Sequence, residues 1–143
     1  MDNKIFNATK ASLDKSEINY RTEENLFVFN MQMDHANFET RVYCEEEMEL
    51  LLVSVSTSFI IPQDKIDRMC RWVADKNYNL TFGHFVLDTK EGNLYFRITC
   101  PVDGGAMNEE IAYVAISNAL GTFDNSFEDI VKTLYLEGGS GDN

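Results

Sequence analysis

The sequence has 143 residues, of which 44% are hydrophobic, and its formal net charge at pH 7 is -12. A chain of this length is large enough for one hydrophobic core but too short for two domains. A surface with so large an excess of carboxylates repels nucleic-acid phosphates and anionic lipid head groups. Nucleic acids and membrane surfaces are therefore not expected as partners, and the simplest role of the charge is to keep the protein in solution.

The chain starts without a basic, apolar leader, and it contains no run of the ~20 apolar residues that a membrane span needs. Its three cysteines are Cys44, Cys70 and Cys100. They are far apart, without the short spacing of metal or redox motifs. We expect a cytoplasmic protein in which each cysteine is a reduced, buried, small apolar residue.

The first third of the chain predicts a helix followed by a β-hairpin. Residues 3–15 carry a weak helical pattern of apolar positions, and residues 18–20 are either a small edge strand or a connector. Residues 26–33 and 38–44 both alternate between apolar and polar side chains, which is typical of half-buried strands. The polar residues between them, 34–37, indicate a hairpin connection.

The middle of the chain, residues 48–79, predicts a central strand that leads through Pro62 directly into a helix. Residues 49–58 begin apolar and then alternate, and the residue before Pro62 is held extended. Pro62 is expected at the first helical position. The helix should end near Asn79, where asparagine can adopt a left-handed conformation. Its expected core face consists of Ile66, Met69, Cys70 and Val73.

The last third predicts a second hairpin and a helix. Residues 81–87 and 93–100 are the strands, with Gly92 suited to a positive φ in the turn and Gly83 indicating a bulge or a close backbone approach. Asn108 is the expected helix cap. Gly121 and the Ser126-x-x-Asp129 pattern indicate a kink or a restart. The predicted core stripe is Ile111, Val114, Ala115, Asn118, Phe123, Phe127, Ile130, Val131 and Leu134.

These elements predict one α+β domain over residues 1–136, with the order α-βββ-α-ββ-α, and a flexible tail over residues 137–143. Short connections between neighbouring strands favour a mainly antiparallel, five-stranded sheet packed with helices.

An ordered set of apolar runs and turn residues resembles the YbjN family, whose members are also described as bacterial sensory transduction regulators. The resemblance covers roughly residues 26–134, and it implies a fold similar to that of type III secretion chaperones, which are small acidic dimers that hold extended segments of a partner chain. The resemblance implies no catalytic residues. The positions that carry it are Leu50-Leu51-Leu52-Val53, Ile61-Pro62 with Lys65, Asn77-Tyr78-Asn79, Gly83-x-Phe85-x-Leu87-Asp88, Gly92 and Phe96-Arg97.

The sequence shows no converging set of catalytic or metal-binding residues. His35 and His84 are the two histidines, and neither stands at a ligand spacing from cysteines or carboxylates. The acidic clusters at residues 45–49 and 124–129 lack the spacing of a calcium loop, so we interpret them as solvated charged faces. We expect no enzyme activity, no cofactor and no metal.

Trp72 is the residue most suited to an interface. It lies beside the predicted core stripe of the middle helix, among Arg68, Arg71 and Lys76. One interpretation is that the indole folds down over the sheet edge. The alternative is a homodimer contact, because an aromatic side chain flanked by arginine is a favoured interface anchor.

The leading functional hypothesis is a non-enzymatic, chaperone-like or regulatory interaction domain that forms a homodimer and binds a segment of another protein through exposed apolar helix and sheet surface. The alternative is a small-ligand sensor with a pocket between sheet and helices. An enzyme is the third and weakest hypothesis. The expected pocket lining is Phe27, Phe29, Met31, Phe85 and Phe96.

Overall fold

A computed structural model describes residues 3–103 and 106–136, with the side chain of Leu136 excepted. A short 3-10 turn, Gln63–Lys65, precedes the second helix, and a π-helical turn, Lys132–Leu136, extends the third. The helices and strands are α1 (Lys4–Lys15), β1 (Arg21–Glu23), β2 (Leu26–Gln32), β3 (Asn37–Glu45), β4 (Leu50–Ile60), α2 (Ile66–Asn79), β5 (His84–Leu87), β6 (Asn93–Pro101) and α3 (Glu109–Val131).

The strands form a six-stranded sheet in the order β1-β2-β3-β4-β6-β5, and every neighbouring pair is antiparallel. The expectation of an antiparallel sheet is confirmed, but the expected number of five strands is wrong by one. The additional strand is β1, which pairs with β2 over three residues. Its side chains are all exposed, so it carries no apolar pattern that a sequence could display.

The three helices cover one face of the sheet, and the core lies between them. Phe6 of α1 stacks on Phe27 of β2 with ring centroids 4.5 Å apart. Phe38 of β3 packs against Phe123 of α3 at 5.0 Å. The strand register aligns the inward-facing side chains in rows, such as Phe27, Val42, Val53 and Ile98. The opposite face of the sheet carries no described helix.

Phe85 is the centre of the aromatic core. Its ring makes edge contacts with Trp72, Phe96 and Phe123, at centroid distances of 5.0, 4.9 and 5.4 Å. These residues come from α2, β6 and α3, so one side chain of a short edge strand joins three other elements. Phe85 is 2% exposed.

The third helix begins as predicted and then continues without a break. The Asn108 side chain accepts a hydrogen bond from the backbone N–H of Ile111 at 3.0 Å. The expected restart near Gly121 is wrong, since α3 continues through this residue as one helix from Glu109 to Val131. The expected stripe is partly wrong, since Val114 is 41% exposed. The buried apolar side chains are Ala112, Ala115, Ile116, Ala119, Leu120, Phe123 and Ile130.

The second helix starts later than predicted, and its core face is rotated. Pro62 is extended, with φ -61° and ψ 146°, and precedes the 3-10 turn. Ile66 and Met69 are buried as expected, but Cys70 is exposed. The physical reason is Trp72, which packs on Phe85 and turns its own side of the helix towards the sheet.

Asn77 closes the outer edge of β5. Its side-chain carbonyl accepts a hydrogen bond from the Phe85 N–H at 2.8 Å, and its amide donates to the Phe85 carbonyl at 3.0 Å. The side chain thus takes the place of a neighbouring strand and protects an edge that would otherwise be open to pairing. The expected left-handed asparagine at the helix end is wrong, since Leu80 ends the helix in an extended conformation.

No helix of the described residues is long and apolar enough to cross a membrane. The predicted tail, residues 137–143, lies outside the described residues.

Candidate protein-binding groove

An apolar groove opens between α1, the end of β2 and α3. It encloses about 330 Å³. Tyr113 stands at its rim and is 53% exposed. Two methionines, Met31 and Met33, form part of the wall, and methionine adapts its shape to different apolar ligands. The lining residues are Ser12, Leu13, Ser16, Ile18, Met31, Met33, Tyr113, Ile116, Ser117 and Leu120.

One side of the groove is shaped by the way in which α1 ends. Glu17 has a positive φ of 58°. The N–H of Ile18 donates to the carbonyl of Leu13 at 3.1 Å, and the N–H of Glu17 donates to the carbonyl of Asp14 at 3.0 Å. This pair of bonds is a Schellman closure. It turns the chain sharply, so that Ile18 lies beside Leu13 in the groove wall.

Hydrogen bonds fix the segment that follows this turn. Tyr20 donates through its hydroxyl to Asp14 at 2.7 Å, and Lys10 lies 2.9 Å from the same carboxylate. The bonds from Lys10 and Tyr20 hold the pKa of Asp14 below its usual value. Lys15 lines an adjoining pocket that shares Ser12, Ser16 and Tyr113 with the groove, and it pairs with Glu109 of α3 at 3.3 Å.

The hairpin that carries Met33 is held to α3 by a buried carboxylate. The backbone N–H of His35 donates to Asp124 at 2.8 Å, and its Nδ1 lies 3.2 Å from the other oxygen of the same carboxylate. Asp124 is 4% exposed. The Nε2 of His35 lies 3.9 Å from Glu128. This contact fixes the β2–β3 hairpin beside the groove.

The interpretation of both acidic clusters as solvated faces is wrong for Glu46 and Asp124, whereas Asp129 is exposed. The Glu46 carboxylate accepts hydrogen bonds from the N–H groups of Ile5 and Phe6, at 3.1 and 2.8 Å, and so caps the N-terminus of α1. Asp124 binds His35, and Asp129 accepts from the indole N–H of Trp72 at 2.7 Å. Sequence could not reveal these roles, because the partners are far away along the chain.

The aromatic residues expected to line a ligand pocket lie in the core instead. Phe27, Phe29, Phe85 and Phe96 are each at most 3% exposed. From that set, Met31 alone lines the groove. The other groove residues were missed because they belong to three elements that come together only in the fold. The one sequence pattern that could have indicated this groove is the run of small and apolar residues on α3 that includes Ile116 and Ser117.

The predicted interface residues lie on or near the outer surface of α2. Trp72 is partly buried, since its ring packs on Phe85 and its N–H binds Asp129. The Arg71 side chain is 85% exposed and lies 3.9 Å from Asp75. Arg68 donates to the carbonyl of Thr133 at 3.4 Å. Lys76 is partly exposed in the last turn.

The remaining reactive side chains do not converge. Among the described residues, no group of three or more His, Cys, Asp or Glu side chains has the geometry to hold a metal ion. Cys44 is buried, and desolvation raises the pKa of its thiol to about 12. Cys70 is exposed and Cys100 is partly exposed, so the expectation of three buried thiols is correct only for Cys44. His84 is exposed on the edge strand β5.

The fold is similar to that of chains in three solved structures. A chain of the crystal structure of the ExsC–ExsE complex is 15% identical with a TM-score of 0.64, and the match covers 88% of this chain and 94% of that chain. A chain of the HopA1–SchA chaperone–effector complex is 15% identical with a TM-score of 0.56, covering 90% and 98%. An uncharacterized protein from Methanothermobacter thermautotrophicus is also 15% identical, with a TM-score of 0.60 and coverages of 87% and 95%.

Residues 10–131 match the YbjN family, described as "Putative bacterial sensory transduction regulator". The match spans most of the chain, so this protein belongs to the YbjN family. The resemblance predicted from the sequence is confirmed, and it starts earlier than expected, so that it includes part of α1. No curated protein matches the sequence.

Proposed function

We propose that this protein is a non-enzymatic, chaperone-like or regulatory interaction domain of the cytoplasm that binds an apolar segment of a partner protein in the groove between α1 and α3. Residues 1–136 form the single domain that carries this function. The observation that carries it is the groove itself, an apolar channel of about 330 Å³ open to solvent beside an exposed tyrosine. Two structures with this fold contain a complex, one of them named as a chaperone with its effector, which supports a protein ligand.

The geometry of the groove suits a chain segment with an apolar anchor. Leu13, Met31 and Ile116 provide an apolar surface on three sides, and Ser16 and Ser117 place hydroxyls beside it. Burying an apolar side chain there contributes about 1.5–3 kcal/mol. The hydroxyls can satisfy backbone groups of an extended segment, which have no partner of their own.

Filling the groove should weaken partner binding without disturbing the fold. Ser117 is exposed on α3 and lines the groove, so Ser117→Trp inserts an indole where the partner segment would lie. We expect at least about a tenfold weaker capture of partner proteins, equivalent to about 1.4 kcal/mol of binding free energy. The measurement is a quantitative pull-down from lysate, followed by the dissociation constant of the captured partner.

Asn118→Trp is the matched control, because Asn118 is the next exposed residue on the same helix and does not line the groove. A partner captured equally well by wild type and both variants would show that binding occurs elsewhere and would reject the groove.

A second function, a small-ligand sensory domain, is favoured by the groove volume, which falls at the lower end of the range of about 300–1,000 Å³ for small-molecule sites. A metabolite that raises the melting temperature of wild type and of Asn118→Trp, but not of Ser117→Trp, would support this function in place of protein binding.

We also propose that the protein forms a homodimer through the outer surface of α2. Arg71 is 85% exposed and Asp75 is 75% exposed at the side chain, one turn further along. In an isologous, antiparallel contact between two α2 helices, Arg71 of one copy faces acidic residues such as Asp67 and Asp75 of the other. The opposite charges offset part of the repulsion between two chains of net charge -12.

Arg71→Glu should convert this dimer to a folded monomer, because it places like charges opposite each other in the contact. Light scattering at micromolar concentration measures the mass of both proteins. Lys90→Glu is the control, with the same charge change on an exposed residue of the β5–β6 turn. A wild-type monomer, or a variant that remains a dimer, would reject α2 as the interface.

A further inference from the structure

The strand register assembles a row of basic side chains across the open face of the sheet. Directly paired residues of antiparallel strands point to the same face. The row alternates with the inward-facing row that contains Phe27 and Ile98, so it lies on the face away from the helices. From one edge of the sheet to the other, its members are Arg21, Val28, Arg41, Ser54, Arg97 and His84.

This row holds three of the five arginines in a chain whose net charge is -12. Two of them already have carboxylate partners on their own strands. Arg21 lies 3.2 Å from Glu23, and Arg41 lies 2.9 Å from Glu39. Because both pairs are satisfied within the chain, neither guanidinium requires a further anion.

Arg97 differs from the other two. Its Nε is buried and has no hydrogen-bond partner among the described residues, and no described carboxylate forms an ion pair with it. Its guanidinium carbon lies 5.2 Å from the centre of the Tyr95 ring, a contact that holds the side chain against the sheet. Arg97 is therefore a positioned cation with unused N–H donors.

We propose that the open face of the sheet around Arg97 binds a carboxylate-bearing segment of a partner protein. A guanidinium presents its N–H groups in a planar fork that matches a carboxylate, so an Asp or Glu side chain of the ligand would bind the accessible N–H groups of the half-buried Arg97. Tyr95 beside it and Tyr43 on β3 are half-buried, and tyrosine and arginine are the residue types enriched in protein interfaces.

The charge distribution favours this ligand over a second copy of the chain or a nucleic acid. Two copies packed through the same face would place the two arginine rows against each other, on chains that already repel at long range. A nucleic acid carries a negative charge at every nucleotide, so it would meet the net charge of -12 along its whole length. A short acidic segment requires only that one of its carboxylates meets the positive charge of Arg97. This surface lies on the opposite side of the sheet from the groove, so the proposal rests on the proposed function only in that the ligand is a protein segment.

The test is an NMR titration of ¹⁵N-labelled protein with a synthetic peptide that alternates Glu and Thr. The peptide should have about eight residues, because an extended chain that rises ~3.3 Å per residue then crosses the width of six strands spaced ~4.8 Å apart. We expect the Nε–Hε signal of Arg97 and the backbone signals of β4 and β6 to shift. A peptide with Gln in place of Glu, and the variant Arg97→Gln, should each raise the dissociation constant at least tenfold.

Two variants serve as comparisons. Lys132→Gln removes an equally charged, exposed side chain from the turn that follows α3 and should leave the dissociation constant within twofold of wild type. Arg97→Lys keeps the charge but loses the planar fork, so it should bind with intermediate affinity. Circular dichroism establishes that each variant is folded.

Three results would overturn the proposal. The first is that Arg97→Gln binds the acidic peptide with wild-type affinity, and the second is that the peptide shifts only NMR signals of the α1–α3 groove. The third is a dimer that dissociates in Arg97→Gln, which would make the face a contact between two copies. The groove proposal has a separate outcome, because Ser117→Trp should bind the acidic peptide as wild type does while losing its captured partner.

Discussion

Phe85→Ala is expected to lower the free energy of unfolding by about 3–5 kcal/mol, which is the usual cost of removing a buried aromatic ring. The ring is 2% exposed and contacts Trp72, Phe96 and Phe123, so its removal leaves a cavity bordered by three elements. Because these neighbours are themselves large rings fixed by other contacts, the cavity cannot collapse easily. Urea unfolding followed by tryptophan fluorescence measures the change and reports from Trp72 itself.

Phe82→Ala is the matched control, since it removes the same ring three residues earlier from a side chain that is 43% exposed. Phe82→Ala should lower the free energy of unfolding by less than about 1.5 kcal/mol, because less of the Phe82 ring is buried in the folded protein. An equal decrease in the free energy of unfolding in the two variants would show that Phe85 is not the centre of the core.

Gly92→Ala is expected to destabilise the protein by at least about 2 kcal/mol, because it combines an unfavourable φ with a steric conflict. Gly92 has φ +82°, and a Cβ there would lie 2.5 Å from the carbonyl oxygen of Ile61. The N–H of Ile61 also donates to the Gly92 carbonyl at 2.8 Å. The added methyl group would therefore push apart the β5–β6 turn and the chain that enters α2.

Gly121→Ala, in contrast to Gly92→Ala, is expected to stabilise the protein. A Cβ there meets nothing within 4 Å, and the residue lies inside α3. Alanine should raise the free energy of unfolding by about 1 kcal/mol, the difference in helix propensity. Thermal and urea unfolding of both variants test the pair. Stabilisation by Gly92→Ala, or a loss at Gly121→Ala, would contradict the backbone geometry described above.

The sequence predicted most of the secondary structure, because local patterns carry that information. Alternating apolar residues identified the long strands β2, β3, β4 and β6. Asn108 marked the start of α3 correctly, since a helix cap is a contact between residues three apart. Gly92 was assigned its positive φ correctly for a similar reason, because a tight turn imposes a conformation that few residues other than glycine adopt.

The predictions that failed depend on contacts between distant residues. The face of α2 was misassigned at Cys70 because the position of Trp72 is decided by Phe85 and Asp129, which lie on other elements. Asn77 was expected to end a helix, whereas it binds the backbone of β5. The carboxylates of Glu46 and Asp124 were taken for solvated charges because their partners are 40 or more residues away in the chain.

The sequence by itself determined an acidic α+β domain of the YbjN family with an antiparallel sheet, because composition, apolar period and turn residues are local properties. Only the tertiary structure brought together the two surfaces that we propose as binding sites. The groove joins residues from α1, β2 and α3, and the arginine row joins residues from six strands. Both surfaces arise from strand register and helix packing, which bring together side chains that no short stretch of sequence contains.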